Sequence, residues 1–235
     1  MTDAAAPDHA ADRPGSRQGG LADETGAFVR DTAYIEDRVT ADGGDGWPVE
    51  PGRYRLVVAR ACPWANRAII VRRLLGLEPV LSMAIAGPTH DERSWRFDLD
   101  PGGVDPVLGI PRLKDAFEAR FPGYPKGITM PAIVDVPSGQ VVTNDYPQMT
   151  LDLSTEWTEH HRPGAPDLYP EAQRAEIDEV ADLVYRDVNN GVAVGEADPH
   201  GLCRWLVVVG NLVDALPPSE SWPTHGRGPP GCGHR

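Results

Sequence analysis

Residues 54–76, YRLVVARACPWANRAIIVRRLLG, decide the fold. Residues 54–59 form a short β-rich run, which predicts a strand buried on both faces. Pro63 then stands where a helix begins, a position that proline tolerates because that N–H group has no partner within the helix. Gly76 closes the predicted helix as its C-terminal cap. One face of this helix carries residues at spacings of four, three and four: Trp64, Ala68, Val71 and Leu75.

The segments that follow this helix complete the pattern. A second strand at 80–85 makes a βαβ unit, which implies parallel strands and a right-handed crossover. Residues 87–127 form a polar insertion with one short helix predicted at 107–120. Two β-rich runs, 132–136 and 141–143, flank a Pro-Ser-Gly turn and predict a hairpin, and a helix near 147–153 follows. This order of elements predicts the thioredoxin arrangement.

The chain divides into four parts by composition. Residues 1–26 lack apolar periodicity and predict a disordered leader. Residues 27–159 hold the α/β thioredoxin-like domain. Residues 160–192 start an all-α domain with a helix that Pro170 opens and whose apolar stripe must bury against another element. Residues 193–235 lose that periodicity and predict a disordered tail.

Composition excludes several classes of protein. The chain has 22 Lys and Arg against 35 Asp and Glu, a net charge of −13, so it lacks the basic surface that nucleic-acid binding requires. No apolar run approaches the roughly 20 residues that span a bilayer. Three cysteines, Cys62, Cys203 and Cys232, form no disulfide framework, which fits a reducing compartment. We therefore predict a cytoplasmic protein without nucleic-acid or membrane partners.

Cys62 carries the clearest chemistry. It precedes Pro63 at a helix start, so its sulfur faces the unpaired N–H groups of the first turn. Cysteines so placed have pKa values of roughly 3.5–7.5 instead of about 8.5, because these dipoles favour the thiolate. The alternative is a buried, inert thiol. Since Ala65 stands where a second cysteine would be, an internal disulfide cycle is excluded and the oxidised partner must be an external thiol.

Met130 and Pro131 precede the third predicted strand. In a thioredoxin-type fold this proline is cis and lies beside the thiol, which leaves the Met130 backbone to pair with a peptide-like ligand. The alternative is a proline that merely starts a strand. At the next helix, Asn144 and Asp145 are either a plain N-cap or a site where amides hold a carboxylate and Asp145 accepts from an ammonium group.

Other candidates have equally simple structural explanations. Trp95, in a polar loop, is either a ligand wall or a packing anchor. Lys114 and Lys126 are either anchors for an anionic ligand or solvated surface. His160 has a histidine neighbour, but no Cys or carboxylate recurs at ligand spacing, so we predict no metal site.

Several stretches resemble the glutathionyl-hydroquinone reductases, the xi class of the glutathione transferase superfamily. They lie between about Phe28 and Val192, and their combination is more specific than any one of them. The stretches are Pro51-Gly52-Arg53-Tyr54, Ala61-Cys62-Pro63-Trp64-Ala65-Asn66-Arg67, Gly127-Ile128-Thr129-Met130-Pro131, Asp167-Leu168-Tyr169-Pro170-Glu171 and Val188-Asn189-Asn190-Gly191-Val192.

The resemblance implies a thioredoxin-like domain followed by an all-α domain, frequently in a homodimer. It also implies that Cys62 attacks the sulfur of a glutathionyl-hydroquinone, releases the hydroquinone and forms a mixed disulfide that a second thiol resolves. Glutathione or another low-molecular-weight thiol is then a co-substrate, with no bound cofactor. By this resemblance Tyr169 and Tyr185 belong to the substrate pocket. The implied glutathione contacts are Trp95, Lys126, Met130, Pro131, Asp145 and Tyr146, and at the last position the family more often has Ser.

After Val192 the family pattern stops, and we expect a frameshift or truncation that leaves only a remnant of the all-α domain. Such a loss removes half of the hydroquinone pocket and makes the chain inactive if that half is essential. Two other functions stay open. One is a non-catalytic module that binds glutathione or becomes glutathionylated. The other is a monothiol, glutaredoxin-like deglutathionylase, which needs only the thioredoxin half.

Overall fold

The computed structural model describes residues 20–22, 28–30, 34–88, 90–91 and 94–185. The chain divides into two compact units. The first comprises residues 1–21 and 30–170, and the second comprises residues 22–29 and 171–235. Within the described residues, no helix is long and apolar enough to cross a bilayer.

The first unit is built on a four-stranded mixed sheet. Its strands are β3 (Tyr54–Ala59), β4 (Ser82–Ala86), β7 (Ala132–Asp135) and β8 (Gln140–Thr143). Their order across the sheet is β4–β3–β7–β8. β3 and β4 are parallel, whereas β7 runs antiparallel to both β3 and β8. This topology confirms the predicted βαβ unit, the hairpin and the thioredoxin-like class.

Four short strands lie outside this sheet. β1 (Gly20–Ala22) pairs with β2 (Phe28–Arg30), and β5 (His90–Asp91) pairs with β6 (Ser94–Trp95). The last pair is antiparallel and gives Trp95 a strand position within the region predicted to be a polar loop.

Each face of the central sheet is covered by helices. Helices α1 (Pro63–Leu75) and α3 (Tyr146–Thr155) pack on one face, and α2 (Leu113–Arg120) packs on the other. All six residues of β3 are buried. Successive side chains of a strand point to opposite faces. Accordingly, Leu56 and Val58 lie in the core that α1 and α3 share, and Val57 lies in the core that contains α2.

The buried face of α1 differs from the predicted one. Its buried residues are Ala65, Ala68, Ile69, Arg72 and Leu75. Arg72 is buried because its guanidinium donates to the carbonyl oxygens of Leu81, at 2.7 Å, and Glu78, at 3.4 Å. That burial lowers the pKa of Arg72. Trp64 is only half-buried and packs towards α3 instead.

Two elements begin later in the chain than the sequence predicts. The helix predicted at 107–120 begins at Leu113, because Gly109 has a φ of +68° and Asp105 accepts hydrogen bonds from the amides of Val107 and Leu108. The strand predicted at 80–85 begins at Ser82, since residues 78–80 form a turn. In both places a local polar turn overrides an apolar pattern.

Residues 34–49, which we call the N-terminal strap, are held against the sheet and α3. The backbone of Ile35 donates to Asn144 Oδ1 at 2.7 Å and accepts from Thr143 Oγ1 at 2.7 Å. Further along, Arg38 forms an ion pair with Asp152. The pKa of Arg38 is raised, chiefly by this hydrogen bond. The sequence predicted no element in this segment.

In the second unit, the described chain forms a 3₁₀ turn (Glu171–Gln173) and helix α4 (Arg174–Leu183). Pro170 thus precedes a turn, and the α-helix starts four residues later than expected. None of the residues of α4 is buried, and Val180 is 48% exposed. The predicted tail, 193–235, lies outside the described residues, as does the predicted leader, 1–26, apart from Gly20–Ala22.

Candidate active site

Cys62 is the N-cap residue of α1, as predicted. Its backbone is extended, with φ −92° and ψ 113°, and Pro63 occupies the first turn. A tight turn separates Cys62 from β3, and the Cys62 amide donates to the Ala59 carbonyl at 3.0 Å. The side chain is half-buried and makes no cap hydrogen bond to the helix amides. The Cys62 sulfur therefore lies at the N-terminal end of α1 but accepts no cap hydrogen bond from the helix amides.

The loop of residues 127–131, which we call the cis-Pro loop, lies beside this thiol. The Met130–Pro131 peptide bond is cis, as predicted. The carbonyl oxygen of Met130 is 3.6 Å from Cys62 Sγ and accepts a hydrogen bond from the thiol. Two residues that are 68 positions apart in sequence thus meet at the end of β3 where α1 begins.

Opposing effects act on the charge of Cys62. The N-terminal end of α1 favours the thiolate because of the helix dipole, and the first turn contains no acidic residue. Arg60 and Arg67, which are close in sequence, are exposed cations. Against this, the Met130 carbonyl accepts from the S–H group, and a hydrogen bond to the neutral form favours that form. The helix end and this carbonyl therefore act on the reactivity of Cys62 in opposite directions.

Helix α3 starts with a different kind of cap. Asp145 Oδ1 accepts from the Gln148 amide at 3.3 Å, so the predicted N-cap is present. Burial raises the pKa of Asp145, partly offset by that amide, with Glu36 and Asp152 adding repulsion. The half-buried carboxylate therefore lies beside the first turn of α3 with one oxygen committed to it.

Aromatic rings join the first turns of α1 and α3. Tyr146 is 3% exposed, and its ring centroid lies 5.0 Å from that of Trp64. Tyr34 of the N-terminal strap packs edge-on against Tyr146, with the ring centroids 6.2 Å apart. Tyr146 thus forms part of the wall that connects the two helix starts, and any ligand contact of this residue is made from a nearly buried position.

The remaining predicted site residues lie in several places. Trp95 is half-buried and packs on the core that contains α2. Lys126 is exposed next to the cis-Pro loop, whereas Lys114 pairs with Glu118 at 3.6 Å on α2. Tyr169 belongs to the first unit and Tyr185 to the second, so their assignment to a shared substrate pocket stays a prediction.

The histidine pair has structural partners. His161 Nε2 lies 2.9 Å from the Leu153 carbonyl oxygen, and the His160 ring packs edge-on against Trp157. Over the described parts of the chain, no group of three or more His, Cys, Asp or Glu side chains is arranged to hold a metal ion.

Sequence reasoning missed the supports of the site. It assigned Asn144 to the cap of α3, whereas Asp145 alone makes the cap and Asn144 bonds to two other segments. The strap residues Tyr34 and Ile35 were not singled out at all. The available signal was weak, because their partners are more than 100 positions away in sequence.

No protein-family model matches the chain. Glutathionyl-hydroquinone reductase YqjG from Escherichia coli is 33% identical over 175 residues, covering 71% of this chain and 53% of that protein. Its glutathione-bound structure superposes with a TM-score of 0.68 at 30% identity, covering 77% of this chain and 63% of that one. The chain spans about half the length of such curated relatives.

Two crystal structures are also similar. A glutathione transferase from Gordonia bronchialis superposes with a TM-score of 0.73 at 64% identity, covering 77% of this chain and 58% of that one. The xi-class glutathione transferase from Phanerochaete chrysosporium superposes with a TM-score of 0.72 at 31% identity, covering 81% of this chain and 64% of that one.

These likenesses and the mixed sheet define the class as a glutathione transferase fold. More narrowly, the matched part of the chain is similar to the xi-class glutathione transferases and to the glutathionyl-hydroquinone reductases.

Proposed function

We propose that this chain carries out thiol-dependent reduction of glutathionyl-hydroquinones, with Cys62 as the nucleophile. The observation that carries the proposal is the position of Cys62 at the start of α1, 3.6 Å from the Met130 carbonyl. The name of the E. coli relative and its glutathione-bound structure support the same substrate class. We also propose a cytoplasmic location, a homodimer, and Tyr169 and Tyr185 as hydroquinone contacts.

The proposed reaction has two steps. First, the Cys62 thiolate attacks the sulfur of the thioether, so that an S–S bond forms and the C–S bond to the ring breaks. The ring carbon takes the electron pair and a proton from water, and the hydroquinone leaves. Second, a glutathione thiolate attacks the glutathionyl sulfur of the mixed disulfide. This step releases glutathione disulfide and restores the Cys62 thiolate.

In this proposal the first unit binds the thiol that is transferred. The Met130 backbone, next to Pro131, pairs with the peptide-like part of glutathione. The Asp145 carboxylate accepts from its ammonium group, since one carboxylate oxygen is not used by the cap. Trp95 and Lys126 complete the proposed contacts, and Tyr146 supports them from its buried position.

Mass spectrometry of the full chain after exposure to a glutathionyl-hydroquinone tests the proposal, with Cys62→Ser as the control. We expect a glutathione adduct at Cys62 together with release of the hydroquinone. An adduct without turnover indicates a glutathionylated module instead of an enzyme. Absence of any adduct in the wild-type chain contradicts both.

A second candidate function is deglutathionylation of proteins by a glutaredoxin-like mechanism. It is favoured by one observation: the first unit alone holds both Cys62 and the cis-Pro loop, in a chain that spans about half of its relatives. A glutathionylated peptide, offered in parallel with the glutathionyl-hydroquinone, separates the two activities. Release of reduced peptide without release of hydroquinone supports this second function.

A further inference from the structure

Asn144 is buried between two segments that are distant in sequence. The residue is 2% exposed. Its Oδ1 accepts from the Ile35 amide of the N-terminal strap at 2.7 Å, and its Nδ2 donates to Thr129 Oγ1 of the cis-Pro loop at 2.7 Å. One side chain therefore ties the strap to the loop.

The orientation of this carboxamide is set by its partners. A backbone N–H group only donates, so the oxygen of Asn144 must face Ile35. The NH₂ group then faces Thr129, whose hydroxyl oxygen accepts the hydrogen bond. The strap itself is held in place, because Thr143 Oγ1 donates to the Ile35 carbonyl at 2.7 Å.

The link continues from Thr129 to the thiol. Thr129 directly precedes Met130, and the Met130 carbonyl oxygen lies 3.6 Å from Cys62 Sγ. A shift of Thr129 therefore displaces the carbonyl that accepts from the thiol. In reactions of this type, misplacement by about 1 Å costs up to about a hundredfold in rate.

We propose that Asn144 and Thr129 are positioning residues of the thiol site: the buried amide holds the cis-Pro loop at the distance from Cys62 at which the Met130 backbone can pair with the peptide-like part of the substrate. This inference rests on the proposed function, since it assigns a role in the same reaction. It also makes the N-terminal strap a structural part of the site, through Ile35. Both residues are argued to act through the Met130 carbonyl, which lies beside the thiol.

The test compares two substitutions of Thr129 in the full chain. Thr129→Val keeps the shape of the side chain but removes the oxygen that accepts from Asn144, whereas Thr129→Ser keeps the oxygen. Thr155→Val is a matched control: Thr155 is also half-buried, and it loses one hydrogen bond, to the Leu151 carbonyl at 2.9 Å, at the far end of α3. Unfolding midpoints are measured for all variants.

The main readout is the rate of Cys62 adduct formation as a function of glutathionyl-hydroquinone concentration. We expect Thr129→Val to raise the half-saturating concentration about tenfold, and Thr129→Ser and Thr155→Val to stay close to wild type. The pH of half-maximal Cys62 alkylation should also fall in Thr129→Val, because the thiol loses its carbonyl acceptor.

Each outcome decides the question. If the wild-type chain forms the adduct and Thr129→Val has the same half-saturating concentration, the positioning role is overturned and the proposed function stands. Equal impairment of the Val and Ser variants, or impairment of Thr155→Val, overturns it as well, because the hydroxyl of Thr129 is then not the cause. Absence of an adduct in the wild-type chain overturns the proposed function and this inference together.

Discussion

Helices α1 and α3 start side by side but are capped in opposite ways. At α1 the N-cap is Cys62, whose side chain makes no cap hydrogen bond. At α3 the N-cap is Asp145, whose carboxylate accepts from the Gln148 amide. Each helix also has a proline in its first turn, so each lacks one N–H group there.

This difference separates the helix end that we propose to be reactive from one that is structural. Cysteine is not among the residues preferred as an N-cap, whereas aspartate is. With Cys62 at this position, the first turn of α1 has no side-chain cap from its N-cap residue. At α3, the Asp145 side chain accepts from one amide of the first turn and stabilises the helix that carries Tyr146.

The largest effect is expected from Cys62→Ser. We expect loss of the glutathione adduct and of hydroquinone release, because the nucleophilic sulfur is gone. We also expect a gain in the free energy of unfolding of up to about 1 kcal/mol, since serine is a good N-cap. Adduct mass and urea unfolding of the same preparation measure the two effects.

The other two cysteines make this variant informative. Cys203 and Cys232 remain in Cys62→Ser, so an adduct that persists would place the reaction at one of them and refute the role of Cys62. A loss of stability in this variant would show that the thiol, contrary to the geometry, stabilises the start of α1.

A smaller effect is expected at the other helix start. Asp145→Ala removes the cap of α3 and should lower the free energy of unfolding by about 1 kcal/mol. Asp100→Ala is the matched control, because Asp100 is also a half-buried N-cap, of the 3₁₀ turn Pro101–Gly103, but makes no cap hydrogen bond. Equal losses in the two variants, by urea unfolding, would show that the Asp145 cap adds nothing.

The smallest effect concerns pH. Burial raises the pKa of Asp145 above its ordinary value of 3.8, so the folded chain holds this proton more tightly than the unfolded chain does. Ionising Asp145 therefore costs stability as pH rises from 3.8 through the raised value. Asp145→Asn keeps an oxygen for the cap and removes this cost.

Unfolding of wild type and Asp145→Asn at several pH values measures this cost. The stability difference should grow in favour of the variant as pH rises from about 3 to neutrality. A difference that stays constant, or that grows in favour of wild type, would contradict the role of burial.

The sheet and the helix starts were predictable because their signals are local. The short β-rich runs, Pro63 before a helical period and Gly76 after it predict βαβ from a short window of sequence. The same holds for Cys62 as a helix N-cap, whereas the cis-Pro131 beside it was predictable only from the thioredoxin-type fold. Local chemistry of this kind is visible before the chain folds.

Other features depend on partners that are distant in sequence. Arg72 reads as a surface residue, yet it is buried because its guanidinium finds carbonyl acceptors in the turn before β4. The N-terminal strap has no regular period, and its position follows from bonds to the junction between β8 and α3. Such side-chain to backbone bonds leave no periodic trace in the sequence.

The ionisation of Cys62 tests the central claim most directly. Alkylation of the wild-type chain by iodoacetamide across pH, read at Cys62 by peptide mass spectrometry, measures the thiolate fraction. If the helix end outweighs the Met130 carbonyl, Cys62 is half alkylated at a pH below about 7.5. If Cys62 instead stays unreactive until pH rises above about 8.5, the value of a free cysteine, the carbonyl dominates and the proposed nucleophile is absent at neutral pH.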